Sequence, residues 1–189
     1  MTLVIGLVGE KFSGKGTFVA LLKKIAPEAD IHHERFSDIL RETLKKWNLP
    51  ITRENLQKLV LIMNRSFDRN TFTTAVCERI KRLPADIVIL DGVRWKTDAQ
   101  MIRSFTPSCL VYITASLETR YARTSFRQEN VGECGITLER FIKEDKAPNE
   151  VYIPQIGASA DLQIDNNGTL EEFEAQVRTF CHRFIWQDA

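Results

Sequence analysis

Residues 3–17 constrain this chain more than any other stretch. Leu3-Val4-Ile5-Gly6-Leu7-Val8 is a short apolar run rich in β-branched residues, read as a strand buried on both faces. It stops at Gly9 and opens into Gly9-Glu10-Lys11-Phe12-Ser13-Gly14-Lys15-Gly16-Thr17. A helix is predicted from about Lys15 to Ile25. Strand, glycine loop and helix in this order make a phosphate-binding loop. The glycines let the backbone curl so that successive N–H groups point inward at an anion. The helix N-terminus adds partial positive charge, and Lys15 reaches the outer phosphates. Gly9, Ser13, Gly14, Lys15, Gly16 and Thr17 are therefore the expected phosphate holders.

The remaining pattern supplies a scaffold for such a loop. Residues 29–36 read as a weaker strand and loop. Ile87-Val88-Ile89-Leu90 is the strongest strand signal and ends in Asp91-Gly92. Residues 109–113 form another buried strand, and residues 162–164 a short one. Helices are predicted from Ser37 to about Trp47, from Thr52 to about Phe67 and from Thr71 to Leu83. Others run over Asp98 to Phe105, Ser116 to about Phe126, Thr137 to about Asp145 and Leu170 to about Phe184. Ser37, Thr52 and Ser116 are the expected caps. Leu56, Leu59, Val60 and Met63 share one face of the second of these helices. Buried strands separated by helices imply a parallel sheet covered on both faces. The expected fold is α/β, a three-layer sandwich around a mainly parallel five-stranded sheet. Three helices within 37–84 exceed what one crossover needs, so this segment is expected to form a helical insert.

Composition narrows the partners. Twenty-six Lys+Arg balance 25 Asp+Glu, a net charge of +1 over 189 residues. No net field attracts a nucleic acid polymer or an anionic membrane. No run reaches bilayer-spanning length, and the apolar start has neither a basic segment before it nor a cleavage site after it. Cys77, Cys109, Cys134 and Cys181 have neither zinc-ligand nor redox-motif spacing and read as reduced thiols of a cytoplasmic protein. His32 and His33 point oppositely on a strand and lack a third ligand, so no metal site is expected there. Trp47 either stacks on a base or belongs to the core.

The charged residues that could carry chemistry fall in short segments. Asp91, at a strand end, can hold Mg²⁺ beside the phosphate loop; capping the following loop is its other role. Thr17 either ligates Mg²⁺ or contacts a phosphate. Arg41 and Arg94 could form a two-armed anion clamp, with a solvated helix arginine the plain alternative for Arg41. Asp38 could bond an acceptor, or act as base if that acceptor is a hydroxyl. Arg120, Arg123 and Arg127, spaced by three and four, share a helical face. Such crowded charge is relieved by an anion, as in a polyphosphate transition state, or by Glu118 and Glu129. Gly132 and Gly135 are possible hinges of a short lid.

Several of these segments resemble known kinases. Gly14-Lys15-Gly16-Thr17 is similar to the loop ending of adenylate kinase and other nucleoside monophosphate kinases. Ser37-Asp38-Ile39-Leu40-Arg41 resembles their Asp-Leu-Leu-Arg segment, whose arginine binds the acceptor phosphate. Leu90-Asp91-Gly92-Val93-Arg94 is similar to their Leu-Asp-Gly-Phe-Pro-Arg segment, one residue shorter. Residues 166–172, with Asn167, resemble the Asn-x-Gly-Ser/Thr-Leu-Glu-Glu ending of dephospho-CoA kinase, which lies near the nucleotide base. Asp91 to Arg94, Ala115 to Arg120 and this ending together resemble a kinase-like family common in archaea. Where those relatives carry Arg-Asp after the lid, this chain has Glu144-Asp145. The resemblance implies a single P-loop kinase domain over 1–189, with an acceptor-binding insert at 37–84 and a lid at 120–146. It implies ATP and Mg²⁺ as cofactors and a nucleotide or nucleotide-like acceptor. Lys15, Asp38, Arg94, Arg120 and Arg123 would be catalytic, Asp38, Arg41 and Arg94 would bind the acceptor, and Thr17 and Asp91 would hold the metal. Two alternatives stay open: a small-molecule hydroxyl kinase, and a nucleotide-binding regulatory protein with little turnover.

Overall fold

The computed structural model describes residues 1–68, 70–126, 136–148 and 150–186. Arg127, the Glu129–Gly135 loop with its two glycines, and Cys134 lie outside the described residues.

Five parallel strands stand in the order β2-β3-β1-β4-β5. They are β1 (Leu3–Val8), β2 (Ile31–Arg35), β3 (Ile87–Val93), β4 (Ser108–Thr114) and β5 (Leu162–Asp165). The strand with the phosphate loop at its end is central, and all six of its residues are buried. Alternation divides them between two cores. Leu3, Ile5 and Leu7 pack with Phe18 and Leu22 of α1 (Lys15–Ile25) and with Phe173, Val177 and Phe180 of α9 (Leu170–Phe184). Val4 and Val8 pack on the opposite face. There they meet Val76 and Ile80 of α4 (Thr71–Lys81), Ile102 of α5 (Lys96–Arg103) and Ile153 of α8 (Ile153–Gly157). Helices on both faces of a parallel sheet make the three-layer α/β fold expected from the sequence.

The first two helices of residues 37–84 form a small satellite core, while the third, α4, packs against the sheet. Leu40 and Leu44 of α2 (Asp38–Lys46) pack against Leu59 of α3 (Arg53–Ser66), flanked by Leu56, Val60 and Met63. Thr52 caps α3 by accepting from Asn55 N at 3.2 Å. Ser37 holds the N-cap position of α2 without a capping bond from its side chain. Instead Asp38 Oδ2 accepts from Arg35 N at 2.8 Å.

Three local features differ from the sequence reading. β3 continues past Asp91 to Val93, with a register slip that leaves Gly92 unpaired as a bulge opposite Leu7 and Val8. The helix from Ser116 is α6 (Leu117–Ala122) and passes into a 3-10 turn over Arg123–Phe126. α8, which the sequence did not signal, is five residues long with Pro154 in its first turn. The final helix before β5 apart from it, α7, spans Leu138–Asp145.

Candidate functional site

The phosphate loop joins the carboxyl end of β1 to α1. A Cβ on Gly9 would lie 2.4 Å from the Ile113 carbonyl of β4, so only glycine lets the loop leave the sheet this closely. Gly14 is the N-cap of α1 with φ 109, a left-handed conformation. It offers no side-chain cap, and the first turn of α1 holds no acid. The first N–H groups of this helix thus remain available to an anion. Gly16 and Thr17 lie in that first turn. Lys15 Nζ donates to the carbonyls of Gly9 (2.8 Å) and Glu10 (3.0 Å), curling back over the loop. Burial lowers the Lys15 pKa from its ordinary value, and the Asp91 carboxylate opposes that shift. Ser13 is buried, and its Oγ has no partner.

Asp91 stands opposite Leu7, beside the loop. Its Oδ1 is buried and has no hydrogen-bond partner, as suits an oxygen that takes a cation. Among the described residues no three His, Cys, Asp or Glu side chains gather as a metal cluster. A cation here would therefore depend on phosphate oxygens, the usual arrangement for Mg²⁺. His33 Nε2 lies 4.0 Å from Asp91 Oδ2. Burial pushes the His33 pKa down, again opposed by Asp91.

Arg94 follows the bulge. Its backbone N–H and that of Trp95 both donate to Asp98 Oδ2 at 3.0 Å. Asp98 is buried, and burial raises its pKa to about 6 against the opposing effect of those bonds. The Arg94 guanidinium pairs with Glu150 Oε1 at 3.3 Å, and Arg53 approaches the same oxygen at 3.5 Å. Arg41 Nε donates to Ser37 Oγ at 3.4 Å. The two arms foreseen for an anion clamp thus have different local partners.

The arginines of α6 and the following turn also diverge, because the helix changes pitch between them. Arg120 is buried and grips Asp145 of α7 in a bidentate pair at 2.6 and 2.9 Å. Its Nε donates to the Ala115 carbonyl, and its guanidinium lies over the Phe141 ring. Arg123 instead reaches the loop, donating to the carbonyls of Phe12 (3.2 Å) and Asn166 (2.7 Å). The neighbouring Glu144 takes Lys11 of the phosphate loop at 2.9 Å. The consecutive acids of α7 therefore tie down the loop and α6, one each.

A cavity of about 370 Å³ opens beside the loop. Phe12, Thr17, Arg123, Asn166, Leu170 and Phe173 line it. Asn166 also donates to the Ser13 carbonyl at 2.8 Å. Asn167 turns elsewhere, accepting from Ser116 N and donating to Asp165. Sequence reasoning singled out Asn167 and missed Asn166; the two differ only by the alternation that follows β5. It also missed Glu10, a buried loop carboxylate that accepts from Tyr112 Oη at 2.5 Å, and Glu150. No local pattern announces either, since their partners are remote in sequence.

A parallel sheet with a phosphate loop on its central strand defines a P-loop kinase-like protein. Fold comparison agrees. Shikimate kinase from Bacteroides thetaiotaomicron superposes with a TM-score of 0.60 at 12% identity, covering 96% of this chain and 97% of that one. Shikimate kinase from Acinetobacter baumannii, solved in complex with shikimate, gives 0.58 at 14% identity, covering 97% and 93%. Residues 8–133 match the family described as AAA domain. A UPF0200 protein of Methanoregula boonei is 30% identical over 95% of this chain and 96% of its own length. One from Hyperthermus butylicus is 27% identical over 98% and 96%. The chain belongs to the UPF0200 protein family. Among the described residues no helix is long and apolar enough to cross a membrane.

Proposed function

We propose that this chain is an ATP- and Mg²⁺-dependent phosphotransferase, with a nucleoside or deoxynucleoside monophosphate as acceptor. The observation that carries the reading is Lys15. It is folded back onto loop carbonyls at the start of an uncapped helix, beside a carboxylate with an unpartnered oxygen. In this reading Gly9, Ser13, Gly14, Lys15, Gly16 and Thr17 bind the donor phosphates. Asn167 positions the loop near the base. Asp91 and Thr17 hold Mg²⁺, which supplies charge neutralisation between the phosphates. Asp38, Arg41 and Arg94 bind the acceptor, with residues 37–84 as the acceptor insert of a single 1–189 domain. Within the lid expected over 120–146, Arg123 stabilises the transferring group, while Arg120, buried with its donors on Asp145 and the Ala115 carbonyl, holds α6 in place and does not reach that group. Alignment and charge stabilisation do most of the catalytic work in such reactions.

One observation favours a second reading, a hydroxyl acceptor. Glu150 already supplies an anion to Arg94 and Arg53, and its side chain is 3% exposed. An acceptor bringing no phosphate to that spot would leave the pair intact, and Asp38 would then serve as its base. The deciding experiment measures ATP consumption against a panel of nucleoside monophosphates and of small hydroxyl acceptors including dephospho-CoA. Lys15→Ala is expected to lower turnover by about 10²–10³-fold. Full activity in that variant would remove the loop from the reaction. ATP binding with no turnover on any acceptor would instead favour a nucleotide-binding regulatory protein.

A further inference from the structure

Two buried polar atoms without partners belong to side chains that face each other beside the phosphate loop. They are His33 Nε2 and Asp91 Oδ1. His33 Nε2 lies 4.0 Å from Asp91 Oδ2, too far for a hydrogen bond. Register explains the meeting. In the parallel β2–β3 pair His33 stands opposite Ile89, and Arg35 stands opposite Asp91. Period-two alternation turns His33 and Asp91 to the same sheet face as Ile31, Ile87 and Ile89. That is the face covered by α1, whose first residue is Lys15.

Leaving a buried polar group unpaired is costly, so a pair of orphans marks a place that is filled in some working state. An imidazole nitrogen and a carboxylate can both donate electron pairs. A shared cation satisfies both. Two metal–ligand bonds of about 2.1 Å each span 4.0 Å only when the two ligands stand on roughly opposite sides of the ion, which leaves its remaining positions open. Arg35 and Lys23 act on His33 against Asp91 and Asp38, and a bound triphosphate would add negative charge that favours a cation.

We propose that His33 and Asp91 form a mixed nitrogen–oxygen site for a divalent cation, filled together with the nucleotide and completed by phosphate oxygens and water. The inference rests on the phosphotransferase reading and deepens it. His33 would thus add a nitrogen ligand to the Asp91 site proposed above for Mg²⁺, raising its affinity for Mn²⁺ or Co²⁺ relative to Mg²⁺, which prefers oxygen. Two side chains suffice because phosphates supply the other donors.

Pulsed electron paramagnetic resonance tests this directly. The probe is Mn²⁺ with the β,γ-methylene analogue of ATP, which has no bridging nitrogen. Comparing full-length wild-type protein in natural abundance with protein made from ¹⁵N-histidine separates imidazole from adenine nitrogen and needs no substitution. The expected result is a nitrogen coupling that changes isotope with the histidine label. It disappears in His33→Gln and persists in His32→Gln, since His32 Nε2 is committed to Glu34 at 2.8 Å. Mn²⁺ affinity of the nucleotide complex should fall about tenfold or more in His33→Gln. Bound Mn²⁺ without histidine coupling, a coupling that survives His33→Gln, or nucleotide binding without Mn²⁺ would each overturn the site. Failure of the wild-type protein to bind nucleotide at all would overturn the phosphotransferase reading itself.

Discussion

The two sides of the cleft are held by different forces. On the loop side, the turn between β1 and α1 is shaped by backbone. Lys15 and Asn166 donate to main-chain carbonyls, and Gly9 and Gly14 sit where a Cβ would collide. On the other side, α3, α6 and α7 are held by charged side chains: Arg120 with Asp145, Arg53 with Glu144, Arg94 and Arg53 with Glu150, and Lys11 reaches across from the loop to Glu144. Backbone contacts survive most substitutions elsewhere. Ionic contacts each depend on two residues and lose strength unequally when one is removed. The charged side is therefore both the more fragile and the more adjustable.

The hardest blow to that contrast is Asp145→Ala. It would leave Arg120, whose side chain is 6% exposed, without its carboxylate. A loss of about 3 kcal/mol is expected in denaturant unfolding. An unchanged midpoint would mean that α7 does not hold α6 in solution.

A smaller effect, roughly 2–3 kcal/mol, is expected where the two sides join, at Asp98. Its pKa is raised to about 6 by burial, so the folded protein holds this proton more tightly than the unfolded chain. That contribution is fully present at low pH and is lost as pH rises from about 4 through 6. Asp98→Asn keeps an acceptor for the Arg94 and Trp95 N–H groups and cannot ionise. Its melting temperature relative to wild type should therefore climb across that window in a pH series. A constant difference would refute the shift.

The mildest change belongs to the loop side. Gly14→Ala forces a side chain onto φ 109 and toward Asn166 Nδ2, 2.1 Å from the added carbon. About 1–2 kcal/mol of stability should be lost, with nucleotide affinity falling alongside in calorimetric titration. Stability lost with affinity intact would show that the loop tolerates a different path.

This division also separates what the sequence made readable from what it hid. β1 and α1 appear where the apolar run and the Gly-Lys-Gly-Thr ending place them, because both signals are local. Thr52 and Ser116, two of the expected caps, accept from the N–H groups three positions on in α3 and α6. By contrast, nothing near Arg120 announces Asp145, and a run of arginines at helical spacing looks like one anion site until the turn at Arg123 splits it. α8 fills barely more than one turn, too short to show a periodicity. Glu150 and Asn166 gain their meaning from chain crossings that composition cannot reveal.

The bond from Asn166 to the Ser13 carbonyl spans 153 residues. In a nascent chain the phosphate loop therefore emerges well before the side chain that supports it, and it is completed only when β5 has been synthesised and laid beside β4.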